Sequence, residues 1–212
     1  MPLVMQRIEN VKNTRLLSSK AATVKKADTP HLFDERRYVD EPYIGLPRVS
    51  SENRKFIPIG FLDGEVAGDK LYVLLGGGLY HFGVLSSSMH NAFMRLTAGR
   101  MKSDYSYSNT IVYNNFPYPF DAKDEDNKTI KSKETIESAA QAVLDARKLY
   151  QDDSEDAPTL AKLYNTYMID PYPELTKAHI ALDKAVDKAY GYKGKGDDAS
   201  RVEFLLKKIA DV

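Results

Sequence analysis

The sequence predicts an α+β protein: a β-rich front half with one inserted helix, then a small all-helical bundle. Three observations predict it. Short apolar and alternating runs recur between residues 43 and 113. One of the intervening stretches, Leu85 to Leu96, carries a single apolar stripe at helical spacing. After a charged stretch at Asp121–Lys128 the apolar period changes to about 3.6 residues. We therefore place two domains, residues 1–120 and 121–212.

The elements follow in order. Met5 to Lys26 reads as a polar helix, with Ile8, Val11, Arg15 and Leu16 at helical spacing and a stop at Asp28-Thr29-Pro30. Strand-like runs come next at Tyr43–Leu46, Phe56–Phe61 and Leu71–Leu75. Pro47 and Pro58 put the first two at edges or ends, because proline has no ladder N–H. In the inserted helix, Leu85, Met89, Ala92, Phe93 and Leu96 share one face. A serine of Ser86–Ser88 is expected to cap its start, and Gly99 to close it as a left-handed C-cap. Tyr105 to Tyr113 returns to alternation and predicts a strand, broken by Asn114–Pro119.

Beyond the charged linker, four apolar stripes predict four helices. The first carries Ile136, Ala139, Ala140, Val143 and Leu144. A short second one after Pro158 carries Leu160, Leu163, Tyr164 and Tyr167. The third runs from Leu175 to Ala189, with Pro173 in its first turn and Gly191 at its end. The fourth carries Val202, Leu205, Leu206 and Ile209.

Composition narrows the function classes. The 212 residues contain no cysteine, which excludes a disulfide framework, a thiol nucleophile and a cysteine-ligated zinc site. This fits a reducing, cytoplasmic setting. Met1–Asn10 lacks the apolar run and cleavage site of a leader, and no stretch is long and apolar enough to span a membrane. The net charge is zero, yet residues 1–120 hold 15 Lys and Arg against 11 Asp and Glu, and residues 121–212 hold 15 against 19. A basic front and an acidic back suggest different partners for the two halves.

No catalytic motif emerges. Gly76-Gly77-Gly78 follows a strand-like run without a Gly-Lys-Ser/Thr, so it reads as a turn and not as a phosphate loop. His31, His81, His90 and His179 lack the spacing of a metal pair, and His179 reads as a helix-flank residue. The glycine-rich cofactor loop of adenine methyltransferases is absent. Asn115-Phe116-Pro117-Tyr118 departs from their Asn/Asp-Pro-Pro-Tyr/Phe site because phenylalanine stands at the first proline. No cofactor is expected in these residues.

The informative stretch is Gly99-Arg100-Met101-Lys102-Ser103-Asp104-Tyr105-Ser106-Tyr107-Ser108. It reads either as an ordinary polar loop or as a base-reading segment. Lysine donates to guanine O6 and N7, and aspartate accepts from cytosine N4, so Lys102 and Asp104 together suit one G·C pair. Two residues apart in an extended segment, their side chains would point the same way. Arg48, Arg54, Lys55 and Arg100 would then serve phosphates, which position a protein without specifying sequence. Ser103, Tyr105 and Tyr107 would support the loop.

Several long runs carry a resemblance. Leu46–Arg54 with Phe56–Phe61, Phe82–His90, Gly99–Ser108, Ile111–Pro117 and the helix from Pro173 to Gly191 closely resemble the MmeI-like, type IIL restriction–modification proteins. The likeness extends roughly from Arg15 onward. It implies a target-recognition domain followed by the family's C-terminal helical segment. It also implies a parent enzyme that methylates adenine in double-stranded DNA with S-adenosylmethionine, in many members fused to a nuclease. The family's nuclease, cofactor-binding and catalytic regions have no counterpart in these residues. The resemblance aligns a base-reading pair with Lys102 and Asp104 and associates Lys/Asp with a G·C reading. The implied partners are duplex DNA and the methyltransferase domain. The competing reading is a scaffold that docks a partner subunit through the helical tail.

Overall fold

A computed structural model describes residues 1–33, 38, 40–120, 126–151, 154–165 and 171–210. The chain forms two compact units, Met1–Tyr38 and Val39–Val212. No helix among the described residues is long and apolar enough to cross a membrane.

In the first unit the expected single helix is two: α1 (Pro2–Leu16) and α2 (Ala21–Lys25). Serine explains the break, because its side chain competes for backbone partners. The Lys20 N–H donates to Ser18 Oγ at 3.2 Å. A short 3-10 turn, Lys26–Asp28, follows. Arg15, predicted on the helical stripe, ties the return. Its Nη1 donates to the carbonyls of Lys26 (2.8 Å) and Thr29 (2.9 Å), and its Nη2 to that of Leu32 (2.9 Å).

The second unit holds two three-stranded antiparallel sheets. β1 (Tyr43–Pro47) lies between β3 (Gly60–Leu62) and β4 (Leu71–Leu75). β2 (Val49–Ser50) pairs with β6 (Asp104–Ser106), which pairs with β5 (Gly99–Met101). Only Arg48 separates β1 from β2, so the chain passes from one sheet to the other at that residue.

Several expectations change here. The apolar run from Phe56 is buried, but its ladder starts only at Gly60. The Ile57 N–H donates instead to Asn91 Oδ1 at 2.9 Å. Two helices replace the single inserted one: α3 (Leu79–Ser86) and α4 (Ser88–Thr97). Ser87, one of the three candidate caps, accepts the His90 N–H. Gly99 is not a left-handed cap. Ala98 ends α4 in extended conformation (φ −66°, ψ 145°) and Gly99 begins β5. The strand expected over Tyr105–Tyr113 stops at Ser106. A single π-helical turn, Asn109–Tyr113, takes over, with Ser108 Oγ accepting the Ile111 N–H at 3.3 Å.

The back half is helical, as predicted. α5 (Asn127–Lys148) is capped by Asp126, whose Oδ1 accepts the N–H groups of Lys128 and Thr129. α6 (Leu160–Leu163) is one short turn. α7 (Pro173–Tyr190) begins on proline and ends at Gly191 in left-handed conformation (φ 69°), both as expected. α8 (Asp198–Ala210) closes the chain. Residues 121–125 of the linker, and Tyr167 of the second stripe, lie outside the described residues.

Front and back halves share one core. Ser88 of α4 donates its N–H and Oγ–H to the Asp183 carboxylate of α7 at 2.7 and 2.6 Å. Arg95 of α4 grips Asp198 of α8 with two hydrogen bonds of 2.6 and 2.9 Å. Gly83 lets α3 approach the tail closely. A Cβ there would lie 2.7 Å from Ile136 Cγ2, 3.1 Å from Ala140 Cβ and 3.3 Å from Leu182 Cδ1. These are fully buried atoms of α5 and α7 with little room to retreat. Gly83→Ala is therefore expected to cost about 1–3 kcal/mol, lowering Tm by roughly 2–12 °C in a thermal melt. An unchanged or raised Tm contradicts this packing.

Candidate nucleic-acid interface

The stretch singled out in the sequence folds as a hairpin. β5 and β6 pair Gly99 with Ser106, Arg100 with Tyr105 and Met101 with Asp104, leaving Lys102 and Ser103 as a two-residue loop. Lys102 and Asp104 are thus not neighbours on one face of an extended segment, which corrects that part of the expectation. Lys102 is at the tip and Asp104 is the first paired residue behind it. Lys102 has φ 58°. This is the positive-φ position at which such loops usually place glycine. A lysine there stores strain of about 1–2 kcal/mol.

Four contacts hold the tip in place. The Arg100 guanidinium donates to the Ser103 carbonyl at 2.7 Å and lies 3.8 Å over the Tyr105 ring. It also faces the Glu52 carboxylate at 3.9 Å. Asp104 Oδ1 accepts the Glu52 N–H at 3.3 Å, fastening the hairpin to the Ser51–Arg54 turn. Glu52 escaped the sequence reading, since a contact across 52 positions leaves no local pattern. Lys102 is exposed and has no hydrogen-bond or ion-pair partner among the described residues.

The other predicted residues divide into surface and support. Arg48 is exposed where the sheets exchange the chain. Its Nη1 donates to the Asp69 carbonyl at 3.0 Å and its guanidinium lies 5.3 Å from the Tyr72 ring centre. Lys55 is exposed, with Nζ 5.2 Å over Phe56. Arg54 is half-buried, makes an isolated antiparallel bridge to Asn165 and donates to the Ala161 carbonyl at 3.4 Å. It joins the halves and is not a free surface cation. Ser103 is exposed in the loop. Tyr105 and Tyr107 are buried and support the hairpin from beneath.

Tyr107 is held by one of the histidines whose spacing spoke against a metal pair. His90 is fully buried, and burial pulls its pKa down to about 3, so the ring is neutral. Its Nδ1 lies 3.0 Å from the Leu85 carbonyl, which only accepts, so Nδ1 carries the proton. Nε2 then accepts the Tyr107 hydroxyl at 3.0 Å. His179, expected on a helix flank, is instead buried. It stacks on Phe56 at 4.1 Å, and its Nε2 lies 2.8 Å from the Tyr164 hydroxyl. Burial lowers its pKa to about 3 as well. Among the described residues, no group of three or more His, Asp or Glu is placed to hold a metal ion.

Lys102→Gly separates the tip's conformation from its charge. It is expected to add about 0.5–1 kcal/mol of stability, since glycine relieves the strain at a smaller entropic cost. Destabilisation in a denaturant titration contradicts the strained turn.

Family comparison matches this geometry to known proteins. The family model described as "MmeI, target recognition domain" matches residues 1–120, and that described as "MmeI, C-terminal domain" matches residues 128–212. The chain is 37% identical over 207 residues to DNA methyltransferase A of Bacillus subtilis (strain 168), covering 97% of this chain and 22% of that protein. It superposes on the type IIL restriction–modification enzyme MmeI, solved in complex with DNA, with a TM-score of 0.85 and 41% identity. That match covers 100% of this chain and 27% of MmeI. The chain therefore spans about a quarter of the length of either relative.

Proposed function

Because this chain belongs to the MmeI family, matching both its target recognition and C-terminal domains, we propose that it reads duplex DNA sequence for a larger methyltransferase. The observation that carries the reading is the hairpin, which holds one unpaired lysine at a braced, exposed tip. Lys102 is the donor to guanine. Asp104, with one carboxylate oxygen fixed by Glu52, offers the other to cytosine N4. Arg48, Lys55 and Arg100 line the surface as phosphate contacts.

The methyl donor, S-adenosylmethionine, and the adenine-modifying site belong in this proposal to the rest of the parent enzyme, the chain's chief protein partner. At the glycine run, a Cβ on Gly77 would meet Ile44 Cδ1 at 2.9 Å and Leu74 Cδ2 at 3.1 Å, while Gly76 and Gly78 have open space around them. The docking-scaffold reading has less support. α5 and α7 bury much of their surface against each other and against α3, and the exposed apolar residues of the described tail, Ile130, Leu149, Ile180, Leu206 and Ile209, are divided among α5, α7 and α8 and their ends.

The salt dependence of binding tests the proposal. The three phosphate-facing cations replacing counterions predict a slope of log K against log salt of about −3, a roughly fortyfold loss between 50 and 200 mM salt. Affinity independent of salt, or no duplex binding at low salt, contradicts it.

A further inference from the structure

We infer that a cleft beside the hairpin receives one nucleobase turned out of the duplex, an inference that rests on the DNA reading above. The cleft has a volume of about 190 Å³. Pockets for drug-sized ligands measure roughly 300–1,000 Å³, so this smaller space suits one planar ring and not a dinucleotide. Leu46 and Leu74 form its apolar floor, Tyr72 and Tyr107 its aromatic walls, and Asn109 and Asn114 its exposed rim.

The chemistry fits a base. The tyrosine rings pack on each other at a tilt, centroids 6.1 Å apart at 54°, so a base rests against this pair and not between the two rings. Tyr107 cannot swing away, because His90 holds its hydroxyl beneath. Any base has an apolar face that rests well against such rings. The side-chain amides of Asn109 and Asn114 have no hydrogen-bond partner among the described residues. Each offers a donor pair and an acceptor, the complement of a base edge. The phosphate contact is adjacent as well. Arg48 reaches over Tyr72, and its carbonyl accepts the Tyr107 N–H at 2.8 Å. One residue thus links the backbone-gripping surface to the cleft wall.

Turning a base out of a paired duplex costs a few kcal/mol, and an already unpaired base avoids that cost. The 212-residue chain is titrated with a fully paired duplex and with the same duplex carrying a one-nucleotide bulge. The bulged duplex is expected to bind roughly tenfold more tightly or better, since its unstacking cost is already met. Tyr72→Ala removes a wall, and Asn114→Ala removes an exposed rim amide with no structural bond to lose. Each is expected to cut the preference to within about twofold, as loss of a stacking partner does for unpaired bases. Equal binding of the two duplexes by the unaltered chain, or a preference that survives both substitutions, overturns the inference. Failure to bind either duplex overturns the DNA reading itself, and this inference with it.

Discussion

Arg147→Ala is expected to destabilise the second unit by about 3–5 kcal/mol and to lower Tm by roughly 6–20 °C. Arg147 sits on α5 in the tail and is 4% exposed. Its Nη1 donates to the Ile59 carbonyl at 2.8 Å, and its Nε and Nη2 to the Tyr164 hydroxyl at 2.9 and 2.7 Å. The guanidinium also lies 5.1 Å from the ring centres of Phe82 and Tyr164. No carboxylate pairs with it among the described residues. Truncation relieves the burial of a charge but strands the buried Ile59 carbonyl, leaves the Tyr164 hydroxyl with His179 alone, and opens a void. Each stranded group costs about 1–3 kcal/mol, and the void adds to that.

The Ile59 contact gives the substitution a wider consequence. Ile59 leads into β3, so the tail fastens a segment that the front half leaves outside its ladder. Front and back are expected to melt together, in one transition that moves as a whole in the variant. Lysine is not expected to rescue, because an ammonium cannot span the carbonyl and the hydroxyl with a planar fork. A loss below about 1 kcal/mol, well under the cost of one stranded buried group, contradicts this account of the joint.

The parts legible in the sequence were those with local chemistry. β1 and β4, the amphipathic stripe of α4 and its Ser87 cap, and α7 with its proline start and glycine end follow from spacing and capping. α3 was missed for a physical reason. Leu79 to Leu85 is apolar on nearly every side, because α3 is enclosed by α4, α5 and α7, so it shows no stripe. Phe56–Ile59 looked like a strand because it is buried, but its backbone partners are Asn91 for the Ile57 N–H, the Ile57 carbonyl for the Ile59 N–H and Arg147 for the Ile59 carbonyl.

The site was legible in residue type more than in geometry. Lys102 and Asp104 were found from donor and acceptor chemistry. The hairpin was not, because its tight turn carries lysine where the usual glycine signal stands. The brace from Glu52 and the support from His90 depend on residues distant in the sequence.

The largest functional effect is expected from exchanging donor and acceptor at the tip. In Lys102→Asp with Asp104→Lys, the acceptor moves forward and the donor back. Aspartate tolerates positive φ better than most residues, so the turn itself survives the exchange, although the hydrogen bond from the Glu52 N–H to Asp104 is lost. Each good base contact discriminates by about 1–3 kcal/mol, roughly 5- to 150-fold. Exchanging both is expected to invert the preference at one base pair from G·C to C·G. Phosphate contacts carry no sequence information, so overall affinity and the other recognised positions should change little.

Base reading by the hairpin tip is tested most sharply by mapping methylated sites in DNA modified by a parent methyltransferase carrying this exchange. Methylation is expected at a sequence that differs from the original at one position, with C·G in place of G·C. Methylation of the original sequence with undiminished preference contradicts it.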